Sequence, residues 1–151
     1  MFFGETTINL DAKGRLAVPM RYRDALEEQC GNRMVLTYSA FDSGSLWLQS
    51  ETTWERMRKD VMALPSFNSR HRNLQRRLVG AATVVELDGS GRILLPPSLR
   101  QRAGLEKHVI LLGMDSRFEI WNEKTLNDTR AEDEANRDEQ ASTEIESLVF
   151  Y

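Results

Sequence analysis

The chain opens on alternation. In "TTINLD" the apolar Ile8 and Leu10 are spaced by polar residues, the run ends in Asp11-Ala12-Lys13-Gly14, a turn composition, and "RLAVP" resumes as a short strand closed by Pro19. The two runs read as a hairpin-like unit. From Pro19 the period lengthens: "PMRYRDALEEQCG" places Met20, Ala25, Leu26 and Cys30 at helical spacing, opens on a proline whose missing N–H is harmless there, and stops at Gly31. "RMVLTYS" and "SLWLQ", separated by "AFDSG", predict a second hairpin with Leu46 and Leu48 facing inward. "SETTWERMRKDVMAL" predicts an amphipathic helix capped by Ser50, with Trp54, Met57, Val61 and Leu64 at steps of three and four.

The same order then returns. "DAKGRLAVP" (11–19) is written again as "DGSGRILLP" (88–96), and a shift of 77 residues carries Asp11 onto Asp88, Gly14 onto Gly91, Arg15 onto Arg92, Pro19 onto Pro96 and Arg23 onto Arg100. The second half reads as strand "ATVVEL", turn, strand "RILLP", helix "PSLRQRAG", strands "KHVILLG" and "RFEIWN", and a helix from "EKTLND". Leu46, Leu48, Glu51 and Trp54 correspond to Phe118, Ile120, Glu123 and Leu126. Between the halves, "SFNSRHRNLQRRLVG" predicts a helix with Leu74 and Leu78 on one side and Arg70, Arg72, Arg76 and Arg77 around them. The expected architecture is α+β, two pseudo-symmetric halves fused into one body: a first repeat with its helix at 1–66, a basic connecting helix at 67–80, a second repeat at 81–127 and an acidic helix or tail at 128–151.

Charge changes this picture once the chain is divided. The net charge of −3 hides nine acids against three bases in residues 123–151, so the first 122 residues carry +3, mostly as arginine. A mildly basic body with an acidic end is compatible with an anionic partner. The composition, 40% hydrophobic and 28% charged, is that of an ordinary soluble protein, and no apolar run approaches a membrane span. The opening lacks the pattern of a secretion signal, and a single cysteine closes no internal disulfide, so a reducing cytoplasm is expected, with Cys30 as core filler.

The repeated turn admits several chemistries. Two Asp-bearing turns can pair carboxylates across a pseudo-twofold axis, as in aspartic proteases, but those turns need Asp followed by Thr or Ser and then Gly, and each Asp here has an arginine nearby to hold it ionised. Gly89 and Gly91 lead into a strand, whereas phosphate-cradling loops open a helix. His71 and His108 are isolated, which leaves no ligand spacing for a metal. Two readings fit better and are compatible. Asp11 can accept its own turn amides and pair with Arg15, fixing the turn. The turn can also project Arg15 and Lys13 from a rigid ribbon, which suits DNA because a β-ribbon enters a groove and arginine grips a guanine edge with two hydrogen bonds.

On "MFFGETTINLDAKGRLAVPMRYRDAL", the doubled Asp-x-x-x-Arg and "LDGSGRILLPPSLRQRAGL", the chain resembles the MraZ family of bacterial transcriptional regulators over nearly its whole length. The family's two Asp-x-x-x-Arg motifs fall unbroken on Asp11 with Arg15 and on Asp88 with Arg92. The resemblance implies an AbrB-like fold of swapped hairpins with a small β-barrel-like core flanked by helices. It also implies a ring-shaped homo-oligomer that binds short direct repeats in the promoter of the division and cell-wall gene cluster. The resulting expectation is a sequence-specific regulator, a repressor, acting on double-stranded promoter DNA in the cytoplasm and on the nucleoid, with no catalysis, cofactor, membrane or small-molecule substrate. Arg15 is expected to read a base, Lys13, Arg21 and Arg23 to hold phosphates, and Arg92 to make a second or supporting contact, while Asp11, Gly14, Asp88 and Gly91 shape the turns. The rival expectation is a non-catalytic structural ring for protein partners, in which the Asp–Arg turns serve only the fold; an aspartic hydrolase is a distant third.

Overall fold

The computed structural model describes residues 1–137 and 142–149, so the tail expected over 128–151 lies partly outside the described residues. The strands are β1 (Phe2–Asn9), β2 (Arg15–Ala17), β3 (Arg33–Tyr38), β4 (Ser45–Gln49), β5 (Thr83–Glu86), β6 (Arg92–Leu94), β7 (His108–Asp115) and β8 (Arg117–Asn122). The helices are α1 (Met20–Cys30), α2 (Glu51–Met62), α3 (Ser69–Gln75), α4 (Pro97–Arg102), α5 (Glu123–Ala135) and α6 (Thr143–Glu146), with a π-helical turn at Arg76–Gly80. The fold is α+β. Six strands form an antiparallel sheet in the order β1-β7-β8-β4-β3-β5, and β2 pairs with β6 in a separate two-stranded ribbon.

That order has a pseudo-twofold axis between β8 and β4, where Leu46 faces Ile120 and Leu48 faces Phe118. The two strand–turn–strand units do not pair within themselves. β1, eight residues long, lies along the eight-residue β7, while the three-residue β2 crosses to its equivalent β6. Only the turn closes locally, through Asp11 N–H to the Arg15 carbonyl (3.1 Å) and Asp88 N–H to the Arg92 carbonyl (2.8 Å). The hairpin-like reading of each unit therefore holds for its elements and not for their partners. No closed barrel forms among the described residues either: β1 and β5 end the sheet unpaired with each other, and the ribbon touches both.

The core lies under the ribbon and along the inner face of the sheet. Phe2 stacks on Phe118 with centroids 4.3 Å apart, and the Tyr22 ring meets both edge-on. α1 ends where expected, with Gly31 left-handed at φ 58°. Its buried face is Tyr22 and Leu26, whereas Met20 is 73% exposed, because Tyr22 takes the place beside the Phe2–Phe118 pair. Strands β3 and β4 are covered on both faces: Leu46 and Leu48 turn to the main core, and Trp47 packs with Val61 of α2 and Leu78 of the π turn. Ser50 caps α2 by accepting the Thr53 N–H at 3.1 Å, and Asn122 caps α5 by accepting the Thr125 N–H at 2.9 Å. α5 runs past Asp128 to Ala135, anchored by Leu126 against Ile110 and Trp121. Among the described residues no helix is long and apolar enough to cross a membrane.

Candidate nucleic-acid interface

The two turns are built alike, and the aspartate is what organises each. Asp11 Oδ1 accepts the backbone N–H of Lys13 (3.0 Å) and of Arg15 (2.9 Å), while Oδ2 accepts the Arg15 Nε–H at 2.6 Å. Asp88 Oδ1 accepts the N–H of Ser90 (2.8 Å) and Arg92 (3.0 Å), and Oδ2 the Arg92 Nε–H at 3.1 Å. A short carboxylate thus replaces the backbone acceptors that so tight a turn lacks. Gly14 (φ 81°) and Gly91 (φ 73°) complete the turns in the left-handed region, where a side chain is strained. The backbone N–H of the following arginine, helped by its side chain and a second amide, holds both carboxyls below the ordinary aspartate range. A proton-sharing pair needs one carboxyl raised, so the turns carry the electrostatics of two ionised anchors.

The ribbon sets what the turns present. Its register pairs Arg15 with Leu94, Leu16 with Ile93 and Ala17 with Arg92. Leu16 and Ile93 face inward and are fully buried, so the two-residue period of a strand puts Arg15, Ala17, Arg92 and Leu94 on the outer face. The two motif arginines, 77 residues apart in sequence, stand on one surface. Arg92 Nη1 also comes within 3.8 Å of Asp11 Oδ2, which couples the turns. Each arginine spends Nε on its own aspartate, and its terminal nitrogens make no hydrogen bond among the described residues. Two guanidiniums of fixed orientation on a narrow twisted ribbon can each offer a pair of N–H donors to one planar acceptor edge.

The remaining expected residues divide. Lys13 is exposed at the tip of the first turn, where the second turn has Ser90. Arg21 lies against β1, donating from Nη2 to Thr6 Oγ1 (2.5 Å) and the Tyr22 hydroxyl (3.1 Å). Arg23 donates Nε–H to the Val18 carbonyl at 2.9 Å and lies over Gly91, so close that a Cβ there would come within 2.3 Å of Nε. Lys13, Arg15 and Arg92 therefore share the ribbon, while Arg21 and Arg23 are drawn onto the framework.

Arg100, its equivalent, lies over Gly14, 3.0 Å from the position of such a Cβ. Each turn is thus roofed by an arginine from the other half, and the 77-residue shift that carries Arg23 onto Arg100 is the signal that points to it. In the connecting segment Arg77 is turned inward, donating to the Ser39 carbonyl (3.1 and 2.7 Å) and standing over the Tyr38 ring.

A family model described as "MraZ protein, putative antitoxin-like" matches residues 1–77 and again residues 78–148. The chain belongs to the MraZ family. It is 47% identical over 150 residues, 98% of this chain and 99% of the relative, to a protein named transcriptional regulator MraZ from Thioalkalivibrio sulfidiphilus (strain HL-EbGR7). Over 124 residues, 82% of this chain and 84% of each relative, it is 52% identical to the protein of that name from Stenotrophomonas maltophilia (strain R551-3) and 51% identical to that of Xanthomonas oryzae pv. oryzae (strain MAFF 311018). The two matches of one MraZ model to a single chain parallel the two equivalent sets of strands that the pseudo-twofold axis relates.

Proposed function

We propose that this chain is a sequence-specific DNA-binding transcriptional regulator, a repressor that binds repeated promoter boxes of the division and cell-wall gene cluster as a ring-shaped homo-oligomer on the nucleoid. The observation that carries this reading is the outer face of the ribbon, where Arg15 and Arg92 are oriented by Asp11 and Asp88 and flanked by Lys13. A two-stranded ribbon fits the major groove, and arginine is the side chain best matched to a guanine edge. Arg15 is the base reader, Lys13 holds a phosphate, and Arg92 supports the same contact from the neighbouring strand. Arg21 and Arg23 contribute positive potential and hold the scaffold. The names of the relatives support the regulatory role.

One short ribbon touches few bases, so several subunits engaging repeated boxes would raise effective concentration strongly. The test is retention of a promoter duplex from that cluster against an excess of nonspecific DNA at physiological salt. A regulator keeps the duplex; loss of all binding under competition would leave the chain without an operator and favour a scaffold for proteins.

A further inference from the structure

We propose that the cleft between the first turn and the entrance to β7 seats a DNA backbone phosphate, held by Arg100 and Lys107. This rests on the DNA-binding reading above and adds a second contact to it. The cleft is lined by Leu10, Asp11, Ala12, Arg100, Glu106 and Lys107. Arg100 forms no ion pair and no side-chain hydrogen bond among the described residues, and its Nε is buried without a partner. Its Cζ and Nη1 lie 3.0 Å and its Nε 3.2 Å from where a Gly14 Cβ would stand, so the guanidinium is packed against that glycine before any ligand arrives, and Nη2 is the nitrogen outside this closest contact. The neighbouring Asp11 makes no ion pair with Arg100: its carboxylate accepts from Lys13 N–H, Arg15 N–H and Arg15 Nε–H, so its paired cation is Arg15. Lys107 is exposed, and its carbonyl accepts the Leu10 N–H at 2.8 Å, which fixes its backbone beside the turn. Arg100 and Lys107 thus line a cleft whose two carboxylates are Asp11, already paired with Arg15, and the exposed Glu106.

The pseudo-symmetric position shows that this is not simply how the fold is built. Leu87 N–H donates to the Asn32 carbonyl at 3.0 Å just as Leu10 N–H donates to that of Lys107, so Asn32 is the equivalent of Lys107 and carries no charge. Arg23, the equivalent of Arg100, is tied to the Val18 carbonyl. The first turn therefore has Lys13, Arg100 and Lys107 where the second has Ser90, a tethered Arg23 and Asn32. A phosphate in the cleft would flank the step contacted by Arg15, since the same turn leads from Asp11 into β2. Guanidinium and ammonium together suit a phosphate, and such contacts place a protein on DNA without reading sequence.

The experiment is the salt dependence of affinity for the promoter duplex and for a scrambled duplex, with the full chain and its Arg100→Gln, Lys107→Ala and Glu106→Gln variants. Arg100→Gln and Lys107→Ala are each expected to weaken both duplexes by the same factor and to flatten the log–log salt slope by about one per engaged subunit, with base preference unchanged. Glu106→Gln is expected to strengthen binding. Lys107 is exposed, so its variant reads the cleft even where Arg100→Gln fails to fold. Wild-type binding with unchanged slopes in the folded cleft variants overturns the cleft alone. A wild-type chain that binds neither duplex overturns the DNA-binding reading and the cleft with it.

Discussion

Leu16 and Ile93 face each other across the two-stranded ribbon, and neither exposes any surface. This contact joins the halves at their shared axis and holds Arg15 and Arg92 on the opposite face. Leu16→Ala removes buried methyl groups where the ribbon cannot collapse freely, and is expected to cost about 2–5 kcal/mol in urea unfolding. Loss of DNA affinity should accompany it at temperatures where the variant is still folded, because the arginines lose their common platform.

Asp11 and Asp88 give stability a defined acid limb. Their folded values lie below the ordinary 3.8, so in the range below about 4 the unfolded chain binds more protons than the folded one. The stability they supply is present above that range and is lost as pH falls through the folded values. Asp11→Asn and Asp88→Asn should each make stability fall less steeply below pH 4 than in the wild type, while lowering it near neutrality. Urea midpoints measured from pH 7 down to pH 3 check this. An unchanged acid limb in the double variant would contradict the carboxylate network.

Arg77 separates structural cations from functional ones. Its guanidinium is spent on the Ser39 carbonyl and over the Tyr38 ring, holding the π turn against the β3–β4 connection. Arg77→Ala is expected to cost about 1.5–3 kcal/mol in stability, the range of a hydrogen bond to a charged group, and to leave the salt slope of DNA binding unchanged. Comparison of thermal unfolding with a salt titration of the same variant distinguishes this from a phosphate contact.

Arg15 and Lys13 should fail differently. If Arg15 grips a base edge, Arg15→Ala costs about 1–3 kcal/mol per engaged site and relaxes preference at one position. Lys13→Ala should weaken all sequences alike and flatten the salt slope by about one per contact. Arg92→Ala is expected to lie between neutral and moderately harmful, because its neighbourhood carries Ser90 in place of Lys13. Affinities for a panel of single-base operator variants, measured on proteins whose assembly has been checked by sizing, give both quantities.

The elements were legible because period and punctuation are local. Pro19, Gly31 and Ser50 mark the ends of α1 and the start of α2, and the alternation around Leu46 and Leu48 marks β4. Partners were not legible, since alternation assigns a residue to a face without saying which strand lies beside it. "RLA" reads equally well against "TTINL" or against "RIL", and the contact of Leu16 with Ile93 decides in favour of the latter. The buried face of α1 is open for a related reason: helical spacing admits Met20 or Tyr22, and only the Phe2–Phe118 stack, made by residues distant in sequence, selects Tyr22. At the site, the doubled Asp-x-x-x-Arg drew attention to Asp11, Arg15, Asp88 and Arg92. The convergence of both arginines on one face follows from the crossing of β2 with β6, which no local pattern encodes.

The most direct measurement is selection of bound fragments from sheared genomic DNA by the assembled wild-type protein at physiological salt, with the Arg15→Ala variant in parallel. The expected result is one enriched motif, recurring at a regular spacing upstream of the division and cell-wall genes, and degraded at one position by Arg15→Ala. Recovery of fragments with no enriched motif by a folded, assembled wild-type protein would contradict sequence-specific recognition by the ribbon.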